Sequence, residues 1–367
     1  MPAQLGSCAG TFLRLSRRVQ LPRHCGEPCL CFPPRTTGAN VGHTPAYPLP
    51  RPHPGSPVTA TTLLPELTAR AEGIAHTRTP TCPCGATGTL ADRADGTVVR
   101  HADTVAKAHA PDADAGELAR RLTISAGLPD VFLPSLGPAP VDLHGRLVTF
   151  WPYGSPVDPD DPDAAPWEAV GTLLALLHRA PVPESAPDMR GPLKAARAVA
   201  GLRAVGDHPA VAPVLWAWAA LPAWARAEAP MPQPAALCHG DLHLGQLVRL
   251  PEGPWRLIDI DDLGVGAPAW DLARPAAWFA CGLLPGEEWL RFLDAYRAAG
   301  GTAFGPGDDP WAVLDVPARA LTVQTAARTV TKAVAEGRDL DELDRAVVDA
   351  CRRMAAIPGQ LTHKSTK

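Results

Sequence analysis

Between Leu237 and Ala273 the chain sets chemistry-bearing residues among apolar ones. Leu237-Cys-His-Gly-Asp-Leu-His-Leu-Gly-Gln-Leu-Val248 is followed by Trp255-Arg-Leu-Ile-Asp-Ile-Asp-Asp262 and by Gly266-Ala-Pro-Ala-Trp-Asp-Leu-Ala273. Apolar runs flank a polar loop. They predict two short strands whose ends converge on one cleft, with Asp259 placed 18 residues after Asp241. Phosphoryl transfer suits this set, because it asks little covalent help from a protein. It needs a carboxylate to orient the attacking hydroxyl, oxygen ligands for magnesium, and a cation on the phosphates. Asp241, Gln246 and Asp259 supply the first two.

The strings HGDLHLGQ, LIDIDD and APAWDLA resemble the aminoglycoside phosphotransferase and choline kinase family, kinase-like enzymes that act on small molecules. The resemblance runs over about residues 60–355 and is carried by 237–274. It implies that Asp241 is the catalytic aspartate, that Asp259 is the main magnesium ligand, and that ATP and Mg2+ are the cofactors. The family usually has Asn where this chain has Gln246. Maltokinase-like members resemble this chain in carrying HLGQ, which implies that Gln246 is the second metal ligand. Its amide oxygen sits one methylene further out, and magnesium demands near-octahedral geometry. Asp271, at a helix start, resembles the family's buried aspartate that braces the catalytic loop.

Thr104-Val-Ala-Lys107 resembles the strand lysine that pairs the α- and β-phosphates, and Glu117 is its expected ion-pair partner. Lys107 and Lys194 are the only lysines before Lys332 in an arginine-rich chain. His239 reads as a loop scaffold rather than a proton carrier, and His243 is a further candidate for the site. Asp261 and Asp262 are adjacent, so on a strand they point oppositely. Asp261 shares the parity of Asp259 and is the candidate to join it. The phosphate-covering loop is left between Cys84-Gly-Ala-Thr-Gly88 and the turn at 94–96, neither a glycine-rich kinase loop. Cys82-Pro-Cys84 lacks a second pair at metal spacing and reads as neutral.

Other elements must position these residues. A helix is expected at 61–75, then a strand meander at 86–93, 96–101 and 103–109, punctuated by Asp95-Gly96 and Ala102-Asp103. A helix at 114–127 ends before Pro129, and 147–154 reads as a strand. Beyond a Pro/Asp linker the apolar spacing turns helical, closing with stretches at 286–299, 310–336 and 339–356. The expectation is an α+β, two-lobed, protein-kinase-like fold. Residues 58–152 form a small antiparallel β-rich N-lobe for nucleotide, 153–358 a larger, mainly helical C-lobe, and 147–160 the hinge.

Residues 1–57 carry eleven prolines, six arginines, no lysine and one acidic residue, and follow no structural period. They and 359–367 read as disordered. His24, Cys25, Cys29 and Cys31 fall there at irregular spacing, which argues against zinc. The 367 residues suffice for two lobes around a cleft. A net charge of −4 gives no argument for nucleic acid. No apolar run approaches the roughly 18–20 residues that cross a bilayer. No secretory signal opens the chain, and the nine cysteines form no disulfide framework, so a cytoplasmic location is expected.

Two rivals are weighed. A metallophosphoesterase would share Gly240-Asp-Leu-His243 but needs a downstream Asn-His pair, and the only later histidine is His363. A kinase-like module that binds nucleotide without transferring phosphate would account for Gln246 and the missing glycine loop. The acceptor is a hydroxyl of a small molecule: an aminoglycoside, sugar or amino alcohol. Trp151, Trp270, Trp278 and Trp289 are candidates to stack on a sugar. Glu287, Glu288, Asp308 and Asp309 are candidates to meet a polycation.

Overall fold

The computed structural model describes residues 60–356, apart from 83, 94, 159, 162 and 163. The expectations for 1–57 and 359–367 therefore lie outside the described residues.

A helix α1 (Ala60–Arg78) leads into an antiparallel sheet built from β1 (Thr87–Arg93), β2 (Gly96–His101), β3 (Thr104–Ala108), β4 (Val141–Leu143) and β5 (Arg146–Pro152). The sheet has five strands in the order β1-β2-β3-β5-β4. Alternation along β3 gives each face its task. Ala106 and Ala108 pack with Val99, Val148 and Leu143 against Leu67 and Ala71 of α1. Val105 and Lys107 take the opposite parity, and Val105 packs against the main core of the molecule. The β3 lysine is thereby turned away from α1 and toward the rest of the chain.

Helix α2 (Ala115–Ala126) lies between β3 and β4 in sequence; Asp114 caps it by accepting from the Glu117 amide. After β6 (Ser155–Pro156) the chain becomes mainly helical. α3 (Trp167–Arg179), α4 (Gly191–Arg203) and α5 (Val211–Ala219) precede the short strands β7 (Ala236–Cys238), β8 (Leu247–Arg249), β9 (Trp255–Leu257) and β10 (Gly264–Gly266). Four helices close the described chain: α6 (Ala269–Ala280), α7 (Gly286–Ala298), α8 (Trp311–Ala335) and α9 (Glu342–Ala356). This is the α+β, two-lobed, protein-kinase-like arrangement.

Trp167, Val170, Leu173, Leu174 and Leu177 put a buried apolar stripe on α3 at helical spacing. Gly171 lets α3 and α7 meet backbone to backbone, since a Cβ there would come within 2.4 Å of the Phe292 carbonyl. A second core joins α4, α5, α6, α8 and α9 around Trp270, Val199, Leu202, Val323 and Val347. β7 pairs with β10 and β8 with β9, and the ribbons that carry the Asp241 and Asp259 loops are anchored in the first core by Leu237, Leu247 and Leu257.

The meander and the closing helices follow the expected boundaries within a few residues. Two details differ. The 258–262 stretch has left the strand, because β9 ends at Leu257. Of the tryptophans weighed for sugar stacking, Trp151, Trp270 and Trp289 are core residues, each less than a tenth exposed.

Candidate active site

Gly240 opens the loop that carries Asp241. Its φ is +86°, and a Cβ there would come within 2.4 Å of the Asp262 carbonyl, so only glycine fits. Beneath this turn lies Asp271 in the first turn of α6. One of its oxygens accepts from the His239 amide at 2.6 Å and the other from the Gly240 amide at 2.8 Å. His178 of α3 meets the same carboxylate at 3.2 Å and is bound in turn to the Tyr296 hydroxyl of α7 at 2.9 Å. His239 spends both ring nitrogens on backbone. Its Nε2 donates to the Ile258 carbonyl at 2.8 Å, and its Nδ1 accepts from the Asp241 amide at 3.4 Å. That geometry ties the Asp241 loop to the start of the Asp259 loop and leaves His239 no nitrogen for proton traffic.

The Asp241 side chain is gripped from two sides. Lys194 of α4 donates to one oxygen at 2.7 Å, and Arg274 of α6 donates to the other at 2.9 Å. Burial alone would raise this carboxyl. The Lys194 and Arg274 charges outweigh it and hold Asp241 well below the usual carboxylate range. Lys194 also donates to Asp262 at 2.7 Å, and its ammonium is held above its ordinary value against the cost of burial. His243 uses its Nδ1 to accept from the Gly245 amide at 3.0 Å, and burial lowers its pKa to about 3, so the ring is neutral.

Asp259 carries φ +64°, an unfavourable region for a residue with a Cβ. Its carboxylate accepts from Lys107 of β3 at 2.6 Å and from the Gln246 amide nitrogen at 3.1 Å. Lys107 also pairs with Asp261 at 2.9 Å, and Asp261 binds the buried His109 at 2.7 Å. His109 is fixed by the Thr149 hydroxyl of β5 at 2.8 Å. Burial opposes the charge on Asp259 and Asp261, yet Lys107 keeps both carboxyls low.

The structure thus brings Lys107, Asp241, Gln246, Asp259 and Asp261 into one charged network, with His239 and Asp271 below. It separates Glu117 from this group. The expected Lys107–Glu117 ion pair is replaced by Glu117–Arg121 at 2.8 Å along α2, while the Arg121 Nε donates to the Leu263 carbonyl. The reason is reach: Lys107 lies against two aspartates, and Glu117 sits at the more exposed end of α2. Asp261 and Asp262 do part company, to Lys107 and Lys194 respectively, although the chain there is a loop rather than a strand. Asp95 and Gly96 form the β1–β2 turn at the Lys107 end of the sheet, because Lys107 pairs with Val98. The 84–88 stretch leads into the other end of β1.

Sequence reading missed Lys194, Arg274, His109 and Asp262 as members of this network. His109 had a signal, being two residues beyond Lys107 and so of the same parity. Arg274 stands three residues after Asp271 on one helix, a spacing that shares a face. Lys194 was marked only by the rarity of lysine.

The donors around Asp259 fit magnesium. Two carboxylates and an amide are hard oxygen ligands, and half a turn of the Gln246 amide about its terminal bond replaces nitrogen by oxygen toward Asp259.

A family model described as "Phosphotransferase enzyme family" matches residues 90–314, more than half of the chain and every residue of this network. The chain belongs to the phosphotransferase enzyme family. Comparison with curated proteins finds no match. Among solved structures, this phosphotransferase-family chain is similar to a choline/ethanolamine kinase family protein from Mesorhizobium loti. That match has 17% identity and a TM-score of 0.49, over 80% of this chain and 96% of that one. It is similar also to a macrolide 2'-phosphotransferase from Brachybacterium faecium, with 19% identity and a TM-score of 0.44, over 79% and 99%. A choline kinase from Streptococcus pneumoniae follows at 15% identity and a TM-score of 0.49, over 77% and 98%. No helix among the described residues is long and apolar enough to cross a membrane.

Proposed function

We propose that this family member transfers the γ-phosphate of ATP to a hydroxyl of a small molecule. The observation that carries the reading is the paired arrangement of the site: two loops, each presenting an anionic aspartate to its own partly buried lysine. Asp241 orients the acceptor hydroxyl and accepts its proton late in the transfer. Its low basicity suits that role, because a carboxylate that stays anionic can position a hydroxyl without first removing its proton. Lys194 and Arg274 steady Asp241 and add positive charge where the transferred group arrives. Lys107 contacts the phosphates of ATP. Asp259 and Gln246, with Asp261 beside them, would hold magnesium, which when bound neutralises phosphate charge. His239 and Asp271 keep the loop in shape. The small lobe, from α1 to β5, supplies the nucleotide contacts, and the helical lobe supplies the acceptor side.

The acceptor carries an alcohol group: aminoglycoside, sugar or amino alcohol. Trp278 lines a recess of about one water's size with Leu242, His243 and Arg274, on the side of the loop from which the acceptor would reach Asp241. The test is ADP production from ATP and magnesium across a panel of hydroxyl-bearing acceptors, with the product checked as a phosphate monoester by mass. Acceptor-dependent ADP with a matching monoester is expected. Tight ATP binding with no turnover on any acceptor would favour the non-transferring module instead.

A further inference from the structure

At the end of the five-stranded sheet away from Lys107, four metal-ligating side chains converge. His76 comes from the last turn of α1, Cys82 and Cys84 from the connection to β1, and His101 from the end of β2. Their donor atoms all lie within 4.8 Å of one another. The His76 Nε2 stands 3.2 Å from the Cys84 Sγ. Four donors at the corners of a tetrahedron with zinc–ligand bonds of about 2.0–2.3 Å are separated by roughly 3.3–3.8 Å. The cluster is therefore close to ligand spacing and needs only a small inward movement.

A second, independent feature belongs to His101 itself. His101 is 4% exposed, and its Nε2 is buried with no hydrogen-bond partner. A buried ring nitrogen without a partner is costly. Its other nitrogen, Nδ1, lies 3.1 Å from the Thr87 hydroxyl. This is the arrangement that prepares an imidazole for a metal: one nitrogen fixed by a hydroxyl, the other presenting its lone pair. Both cysteines are free thiols, Cys82 half-buried and Cys84 exposed. Cys84 adopts φ +51°, a left-handed conformation unfavourable for a residue with a Cβ.

We propose that His76, Cys82, Cys84 and His101 bind one zinc ion in a closed Cys2His2 site. Two thiolates and two imidazoles favour zinc over hard cations such as magnesium. Four protein donors leave no open position, so the ion is structural. It fastens the C-terminal end of α1 and the loop before β1 to the end of β2 that lies away from Lys107. Binding releases two protons, one from each thiol. The sequence hid the site because the second pair of ligands is histidine, contributed from either side of Cys82-Pro-Cys84 rather than by another cysteine pair.

The test is metal analysis of the full chain purified under reducing conditions. One zinc per chain is expected. Cobalt(II) added to the metal-free chain should give tetrahedral visible bands with thiolate charge transfer. The variant C82S/C84S should lose the ion, whereas C25S/C29S/C31S should keep it. Zinc should raise the melting temperature of the unaltered chain and not that of C82S/C84S. If C82S/C84S does not fold, alkylation mapping of the unaltered chain decides the matter. Cys82 and Cys84 should be protected with metal and labelled after chelation. Zinc retained by C82S/C84S, zinc lost from C25S/C29S/C31S, no protection of Cys82 and Cys84 by metal, or a Cys82–Cys84 disulfide in the reduced preparation would each overturn the proposal.

Discussion

Asp271 and Asp241 sit below and above the same turn, and they are satisfied in different ways. Asp271 is 1% exposed and takes two backbone amides plus the buried His178. Asp241, at the mouth of the loop, takes a lysine and an arginine side chain. Backbone amides are fixed once the fold forms, so Asp271 can only hold a shape. Ammonium and guanidinium groups on flexible stems can share a carboxylate with an incoming phosphate or hydroxyl. The same contrast separates Asp271 from Asp259 and Asp261, which face Lys107. A carboxylate answered by backbone belongs to the scaffold. One answered by mobile cations is available for chemistry.

The largest effect is expected beneath the loop. Asp271→Ala orphans the buried His239 and Gly240 amides. At about 1–3 kcal/mol for each unsatisfied donor, the loss is about 2–6 kcal/mol, a large part of a domain's stability. Denaturant melts should show it, and a variant as stable as the parent would erase the distinction between the two aspartates.

Next comes Lys107. Lys107→Ala should leave the fold intact and cut ATP turnover by about 10²–10³, the range for removing one preorganised electrostatic group. Lys107→Arg should be only partly tolerated, because a planar fork replaces a compact charge. Normal turnover by the alanine variant would place the phosphate contact elsewhere.

Gln246 should behave as a metal ligand rather than a loop residue. Gln246→Ala should raise the magnesium concentration for half-maximal rate by on the order of tenfold, and excess metal should partly restore the rate. Gln246→Asn should be impaired too, since its amide falls one methylene short. A loss of stability with an unchanged magnesium dependence would make Gln246 a scaffold residue.

The smallest effect is expected at Glu117. Its partner Arg121 is buried, but Glu117 is itself more than a third exposed and glutamine keeps an oxygen to accept from the guanidinium, so Glu117→Gln should cost about 1 kcal/mol and leave ATP affinity unchanged. A weakened ATP affinity would mean that Glu117 reaches Lys107 when nucleotide is bound.

Much of this was legible in the residues. Period-2 alternation with Asp95-Gly96 and Ala102-Asp103 gave the meander, and the 237–274 strings gave the loops that converge. What sequence could not supply was pairing across long separations. Lys107 meets Asp259, 152 residues away, and Lys194 meets Asp241 and Asp262, 47 and 68 residues away. An ion pair expected from proximity in sequence, Lys107 with Glu117, gave way to these because the sheet turns Lys107 toward the 258–262 loop. The unusual backbone at Asp259 has no sequence mark either, since a left-handed aspartate is imposed by its surroundings.

The central claim is that Asp241 serves the transfer step and not nucleotide binding. Asp241→Asn tests it with three readings on one preparation: melting temperature, ATP dissociation constant, and the rate of phosphate transfer to an active acceptor. The account predicts a cooperative melt, lowered as Lys194 and Arg274 lose their anion, with near-parental ATP affinity and transfer slower by about 10²–10⁴, the contribution of a positioned acid–base group. An Asn variant that transfers phosphate at the parental rate would contradict it.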